Sequence, residues 1–345
     1  MEISKKVIIG ISGLELNNKE VAIIKQYAPL GYILFSRNID NKDQVRNLIG
    51  KIRDISEWQC PILIDQEGGR VQRMTEPNWP LYPPANIFED LANISIEAAK
   101  KAVYLNYKLL GYDLSELGIN INCAPCLDVK SKYTHAIIGD RSFSSKPEVV
   151  STLGFSACNG LIDSGVLPVI KHIPGHGRAR LDSHSSLPII KDKINDLKNK
   201  DFLPFKTLFN MPLAMTAHIL YKDIDDNFSV TQSKKAYNFI RSKLNFEGIL
   251  ISDDIGMGAL SGSIKEKVKL IIDAGYDIIL ECSGSINKSE EVLKNTPKLN
   301  KSLVNKWKSC LSMTISETNL SDKLNDITEV KKIFNDLLHL ELDYY

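Results

Sequence analysis

The stretch Gly248-Ile-Leu-Ile-Ser-Asp253-Asp254 runs from a short apolar segment straight into two adjacent carboxylates. A brief run of Val, Ile and Leu bounded by polar residues is the pattern of a strand buried on both faces. Charged groups gathered where such a strand ends mark the ligand-facing edge of a parallel sheet. Seven more runs of this kind recur, at 7–14, 32–36, 62–65, 119–124, 167–172, 213–219 and 278–282. Amphipathic stretches between them, at 19–27, 42–55, 95–117, 147–164, 233–244 and 264–274, read as helices. Gly118, Gly165 and Gly275 follow three of these and Asn41 precedes one, as boundary residues do.

Eight strand–helix units predict an α/β fold, a TIM (β/α)8 barrel over about residues 5–300 with a helical tail at 301–345. An open doubly wound sheet is the competing architecture, because periodicity does not say whether a parallel sheet closes. With no linker, composition shift or repeat dividing the chain, a single catalytic domain over 1–345 is expected. In the tail, Leu303, Trp307, Cys310 and Leu311 form one apolar stripe and Ile327, Val330, Phe334, Leu337 and Leu338 another. Both read as core cover.

The 345 residues are 43% hydrophobic and 25% charged, an ordinary folded composition, with 43 Lys plus Arg against 42 Asp plus Glu. That balance gives no reason to expect a nucleic-acid or membrane partner. No apolar run reaches the roughly 18 residues of a membrane span. Six scattered cysteines suit a reducing compartment, and a cytoplasmic location is expected. Cys123-Ala-Pro-Cys126 is formally a C-x-x-C, but it lies at a strand end without a second pair and reads as core thiols. Gly256-Met-Gly258 begins like a dinucleotide fingerprint and then lacks the third glycine.

Polar residues cluster at the carboxyl ends of the predicted strands. Strand three leads into Asp65-Gln-Glu67-Gly-Gly-Arg70 with Arg73 behind, strand five ends in Lys171-His172, strand six delivers His218, and strand seven ends in Asp253-Asp254. Adjacent strand residues face opposite ways, so at most one of the two aspartates serves the mouth and the other is structural. The loop 171–188 holds three histidines, Asp182, Arg178, Arg180, Gly175 and Gly177, with glycines that let it bend over a ligand. Asp182 and His184, two apart, project to one side, so the carboxylate can fix the imidazole tautomer for acid/base work. A metal held by His172, His176, His184 and Asp182 is an alternative, but the spacing matches no zinc pattern. His218 reads as a partnered core histidine, and Arg141 as a residue that could simply pair with Asp140 or Asp128.

Together the motifs ILIDQEGGRVQRM (62–74), GDRSF (139–143), KHIPGHGRARLDSHSSLP (171–188), MTAHI (215–219) and GILISDDIGM (248–257) resemble the beta-N-acetylhexosaminidases of glycoside hydrolase family three, in their single-domain bacterial form. The resemblance covers nearly the whole chain. It implies a TIM barrel and retaining hydrolysis of terminal N-acetylglucosamine through a glycosyl-enzyme intermediate. Asp253 matches the nucleophile, His184 the acid/base and Asp182 its dyad partner. Asp65, Arg73, Arg141, Lys171 and His172 match positions that hold the sugar.

On this resemblance the expected ligand is a small carbohydrate, N-acetylglucosamine glycosides and muropeptides, handled by a monomer with no metal and no cofactor. Cations such as Lys171 and Arg141 would keep Asp253 ionised. Arg178 and Arg180 depart from the small or acidic residues expected in the loop and raise the question of an anionic leaving group. A phosphorylase is the second enzymatic reading, since a histidine acid does not repel phosphate. A catalytically silent sugar-binding barrel is the non-enzymatic one.

Overall fold

The computed structural model describes residues 4–314, 328–329 and 332–334. Ten strands occur among them: β1 (Lys5–Gly10), β2 (Pro29–Leu34), β3 (Ile62–Ile64), β4 (Ile121–Asn122), β5 (Leu167–Ile173), β6 (Ile189–Ile190), β7 (Leu213–Thr216), β8 (Leu220–Tyr221), β9 (Ile249–Asp254) and β10 (Ile278–Glu281). Eight of them pair in parallel in the order β1-β2-β3-β4-β5-β7-β9-β10, and β10 pairs back onto β1 to close the barrel. Closure decides against the open sheet. All eight predicted strands are present, and β6 with β8 forms an additional small sheet outside the barrel that the sequence reading did not anticipate.

Strand side chains alternate between two cores, as a period of two requires. Ile8, Ile33, Leu63, Ile121, Val169, Leu213, Ile249 and Leu280 fill the barrel interior. Their neighbours Val7, Ile9, Tyr32, Ile62, Ile64 and Leu250 face outward into the surrounding helical layer. That layer includes α1 (Asn18–Tyr27), α2 (Lys42–Ser56), α3 (Ile87–Ile94), α4 (Ile96–Leu117), α5 (Pro147–Asp163), the short α6 (Ile194–Leu197) and α7 (Leu203–Thr207), α8 (Lys234–Lys243), α9 (Ile264–Ala274) and α10 (Ile286–Asn295). Local signals set the helix ends: α9 opens with a Ser263/Glu266 capping box and stops at Gly275, whose φ of 105° suits glycine.

A last helix, α11 (Lys301–Ser312), closes the end of the barrel opposite the polar strand ends. Lys306 Nζ donates to the Gly248 carbonyl just before β9, and Leu299 N donates to the Ser4 carbonyl just before β1. Leu303, Trp307 and Cys310 are buried against the barrel interior and Leu311 packs beside them, so the first tail stripe is core cover. Of the second stripe Phe334 is buried, while Ile327, Val330, Leu337 and Leu338 lie outside the described residues.

Fully buried Trp307 is the largest side chain in this plug. Trp307→Ala should lower the unfolding free energy by about 3–5 kcal/mol, the usual cost of emptying an aromatic core site. Denaturant titration measures it; a loss below about 1 kcal/mol would show that α11 is not part of the core.

Candidate active site

At the carboxyl ends of β3 and β5, Lys171 Nζ lies 2.8 Å from Asp65 Oδ1 and 2.6 Å from Glu67 Oε1, with its side chain 3% exposed. Arg73 reaches the other Asp65 oxygen at 3.2 Å. Arg141 grips Glu67 with two parallel bonds of 2.8 and 2.9 Å and donates to the Ile137 carbonyl at 3.0 Å. Burial would raise both carboxyls, but the lysine and arginines overcome it, holding Glu67 at about 2 and Asp65 well below the usual carboxylate range. Arg141 therefore pairs with neither Asp140, which takes Arg70 at 2.6 Å, nor Asp128. Two of its five N–H donors stay available to a ligand. Arg73 lies over the Phe35 ring at the end of β2, 5.2 Å from its centroid.

The register of β5 against β7 shifts between Lys171 and Ile173, so strict alternation breaks and two consecutive side chains serve the same end of the barrel. His172 Nδ1 bonds Asp128 Oδ2 at 2.7 Å. Asp128 also accepts the His172 and His176 backbone amides at 3.2 and 2.6 Å and the Cys126 thiol at 3.3 Å. Cys126, Asp128 and His172 bring potential ligand atoms within 4.8 Å of one another, yet four donors already occupy this carboxylate. Cys123 and Cys126 are buried free thiols pushed well up by burial, as core cysteines are.

At the end of β9 the two aspartates separate by role. Asp254 Oδ1 accepts the amides of Gly256 at 2.9 Å and Cys282 at 3.1 Å, a turn-holding arrangement. Asp253 makes one bond, from the Asp254 amide at 2.8 Å, and is partly accessible. Burial raises its carboxyl, but His218, His172, the Asp254 amide and Lys171 lower it more, and it stays ionised. Lys171 contributes as expected; the other leading neighbours are imidazoles rather than Arg141. His218 is fully buried, with Nδ1 on Thr231 Oγ1 at 2.8 Å and Nε2 donating to the Asp254 carbonyl at 2.9 Å. Burial holds its pKa down. It is thus a partnered core histidine that nonetheless borders Asp253.

The candidate dyad forms as the spacing implied. His184 Nδ1 bonds Asp182 Oδ1 at 2.7 Å, and the same oxygen accepts the His184 amide at 2.9 Å. That bond fixes Nδ1 as the donor and turns Nε2 outward as the working nitrogen. The His184 side chain is 60% exposed. Its loop is tied to the turn after Asp253: Gly258 N donates to the His184 carbonyl at 2.9 Å and Ala259 N to the Ser183 carbonyl at 3.1 Å. A Cβ on Gly258 would meet the Ser185 and His184 carbonyls at 2.7 and 2.8 Å, so the residue that imitated a nucleotide fingerprint permits this approach. Gly177 likewise serves close packing against the Val129 carbonyl, while Gly175 supplies the bend with φ of 148°.

Two alternative readings of the loop do not fit its geometry. His172 and His176 are buried with rings 5.5 Å apart, whereas His184 and Asp182 face outward, so the proposed four-ligand metal set divides into two pairs. Arg178 is bound to Asp201 at 2.6 Å and Asp192 at 3.0 Å and is not a free anion site; Arg180 alone is exposed, stacked 4.0 Å from the Tyr133 ring centroid. Glu67 was not assigned a role from sequence, His176 was named only as an alternative metal ligand, and Asp128 only as a possible partner of Arg141. Glu67 was visible as the residue two beyond Asp65 in the segment that follows β3, whereas Asp128 carries no local signal.

Residues 4–309 match the glycosyl hydrolase family 3 N terminal domain. The chain belongs to glycosyl hydrolase family 3. As a family 3 member it is a glycoside hydrolase, and curated relatives of similar length agree. A beta-hexosaminidase of Shewanella frigidimarina is 33% identical over 285 residues, 81% of this chain and 82% of that protein. One from Haemophilus influenzae is 31% identical over 284 residues, 80% and 79% of the two chains. Among solved structures, NagZ from Neisseria gonorrhoeae in complex with N-trifluoroacetyl-D-glucosamine superposes with a TM-score of 0.83 at 27% identity, covering 98% of this chain and 97% of that one. Among the described residues of this family 3 chain, no helix is long and apolar enough to cross a membrane.

Glu67 lies between two buried cations, and its folded-state pKa of about 2 is below its ordinary value. Its ionisation therefore stabilises the fold above pH ~4.3 and ceases to do so as pH falls toward its folded value. Glu67→Gln should cost about 3 kcal/mol at pH 7, the scale of breaking a buried ion pair, and nearly nothing at pH 2. Urea titrations of both proteins across this range measure the gap; a gap independent of pH would contradict the assignment.

Proposed function

We propose that the protein is a retaining, exo-acting beta-N-acetylglucosaminidase that removes terminal non-reducing N-acetylglucosamine. The observation that carries the reading is an ionised, partly accessible Asp253 whose following turn is bonded to the backbone of the Asp182–His184 dyad. Asp253 attacks the anomeric carbon while protonated His184 gives its Nε2 proton to the departing glycosidic oxygen. The resulting glycosyl ester is hydrolysed by water that neutral His184 activates. Asp182 accepts from Nδ1–H throughout, which leaves Nε2 as the nitrogen that gives and takes the proton. Asp65, Arg73, Arg141, Lys171 and His172 bind the sugar, and a missing hydroxyl would leave such buried groups unpaired.

Names of relatives support the acetamido sugar: two are beta-hexosaminidases and a structural neighbour is bound to an N-acylglucosamine analogue. The family resemblance extends the proposal to anhydro-muropeptides in peptidoglycan recycling and to the cytoplasm. Pairing of Arg178 with Asp192 and Asp201 leaves Arg180 as the one loop arginine able to attract phosphate, which weakens the phosphorylase reading without removing its basis in the histidine acid.

Purified protein should release free N-acetylglucosamine from an aryl beta-N-acetylglucosaminide, regardless of phosphate, and leave the matching glucoside intact. Sugar phosphate would establish the phosphorylase instead. Asp253→Asn should lower kcat about 10⁴-fold or more. His184→Ala should cost about 10²–10⁴-fold with poor leaving groups and much less with an activated phenol. Equal losses would contradict its acid role.

A further inference from the structure

From Arg180 to Leu187 the catalytic loop is exposed or half-exposed at every position except Ser183, which is 4% exposed. Ser183 separates Asp182 from His184, so whatever holds it sets the dyad. Its hydroxyl meets His176 Nε2 at 3.1 Å. His176 is 2% exposed, its amide donates to Asp128 Oδ1 at 2.6 Å, and its ring stands edge-on to His172 at 5.5 Å. The other ring nitrogen, Nδ1, is buried without a partner. An orphaned donor would cost more than an orphaned acceptor, so the proton sits on Nε2 and is donated to Ser183 Oγ.

We propose that His176 is a positioning residue for the glycosidase reaction, acting through its bond to Ser183 to hold the Asp182–His184 dyad in register with Asp253. The inference rests on the function proposed above. His176 is anchored to the same Asp128 that orients His172, and so it joins the sugar-binding floor to the acid/base loop. Only two backbone bonds, from Gly258 and Ala259, otherwise tie residues 183 and 184 to the nucleophile's turn. A small displacement of a proton donor is costly when proton transfer matters and nearly silent when the leaving group needs none.

The test compares hydrolysis of a dinitrophenyl and an alkyl beta-N-acetylglucosaminide by the full-length wild type, His176→Phe, Ser183→Ala and the double variant. With the alkyl leaving group, His176→Phe should lower kcat/KM, which reports the acid-assisted first step, about 10–100-fold; with dinitrophenol the loss in kcat/KM should stay under about threefold. Ser183→Ala, the milder change, should show the same asymmetry, and the double variant should be no worse than the poorer single one. Equal losses for both leaving groups, or losses that multiply, would overturn the proposal. His184→Ala is run in parallel: if it shows no leaving-group dependence, the underlying glycosidase mechanism fails; if it does and the other two do not, only the role of His176 fails.

Discussion

One ammonium, Lys171 Nζ, placed between Asp65 and Glu67 where two barrel strands end, is the constraint on which the site is built. At an effective dielectric of 20, each contact near 2.8 Å is worth about 6 kcal/mol of attraction. Burial of each ion costs several kcal/mol, so the sum is near balance. What the network supplies is placement. Removing any member strands the others in a nearly dry floor, which ties Asp65, Arg73, Glu67, Arg141 and Lys171 to a single geometry. The same lysine helps to keep Asp253 ionised, so the charge state of the proposed nucleophile depends on the floor as well as on its neighbouring imidazoles.

The architecture separates rigid from exposed parts. The floor and Asp253 rest on barrel strands whose inner side chains pack against a plug, α11, at the opposite end. The proposed acid/base residue, His184, sits on a loop whose own side chains mostly face solvent, with Asp182 as its side-chain partner among the described residues. Backbone bonds to Gly258 and Ala259 join the two halves, and the small sheet of β6 and β8 fixes the loop's exit. The proposed nucleophile and the proposed histidine acid thus come from different elements, joined through backbone bonds.

Much of this was legible in the sequence because it depends on local patterns. Short continuous apolar runs bounded by polar residues marked eight strands, and the Asp182–His184 spacing gave the dyad. The opposite faces of Asp253 and Asp254 implied that only one of them serves the mouth, and the family resemblance pointed to Asp253 as that one. What was not legible depends on distant residues meeting. The pairing of Arg141 with Glu67, rather than with its neighbour Asp140, is set by barrel closure across more than 70 positions. Asp128 gathers donors from a segment that begins more than 40 residues later, and Arg178 finds Asp192 and Asp201 rather than a ligand. The shift in β5 that lets Lys171 and His172 serve one end has no sequence signature.

The central claim is that Asp253 forms a covalent bond to the sugar, and trapping tests it most directly. The protein would be incubated with a 5-fluoro-N-acetylglucosaminyl fluoride, digested, and the peptide spanning 248–257 sequenced by mass spectrometry. The account predicts one N-acyl-fluoroglucosaminyl adduct per chain, esterified to Asp253, with Asp254 unmodified. An adduct on Asp254 or on any residue outside this peptide, or turnover of the reagent with no covalent adduct, would contradict it.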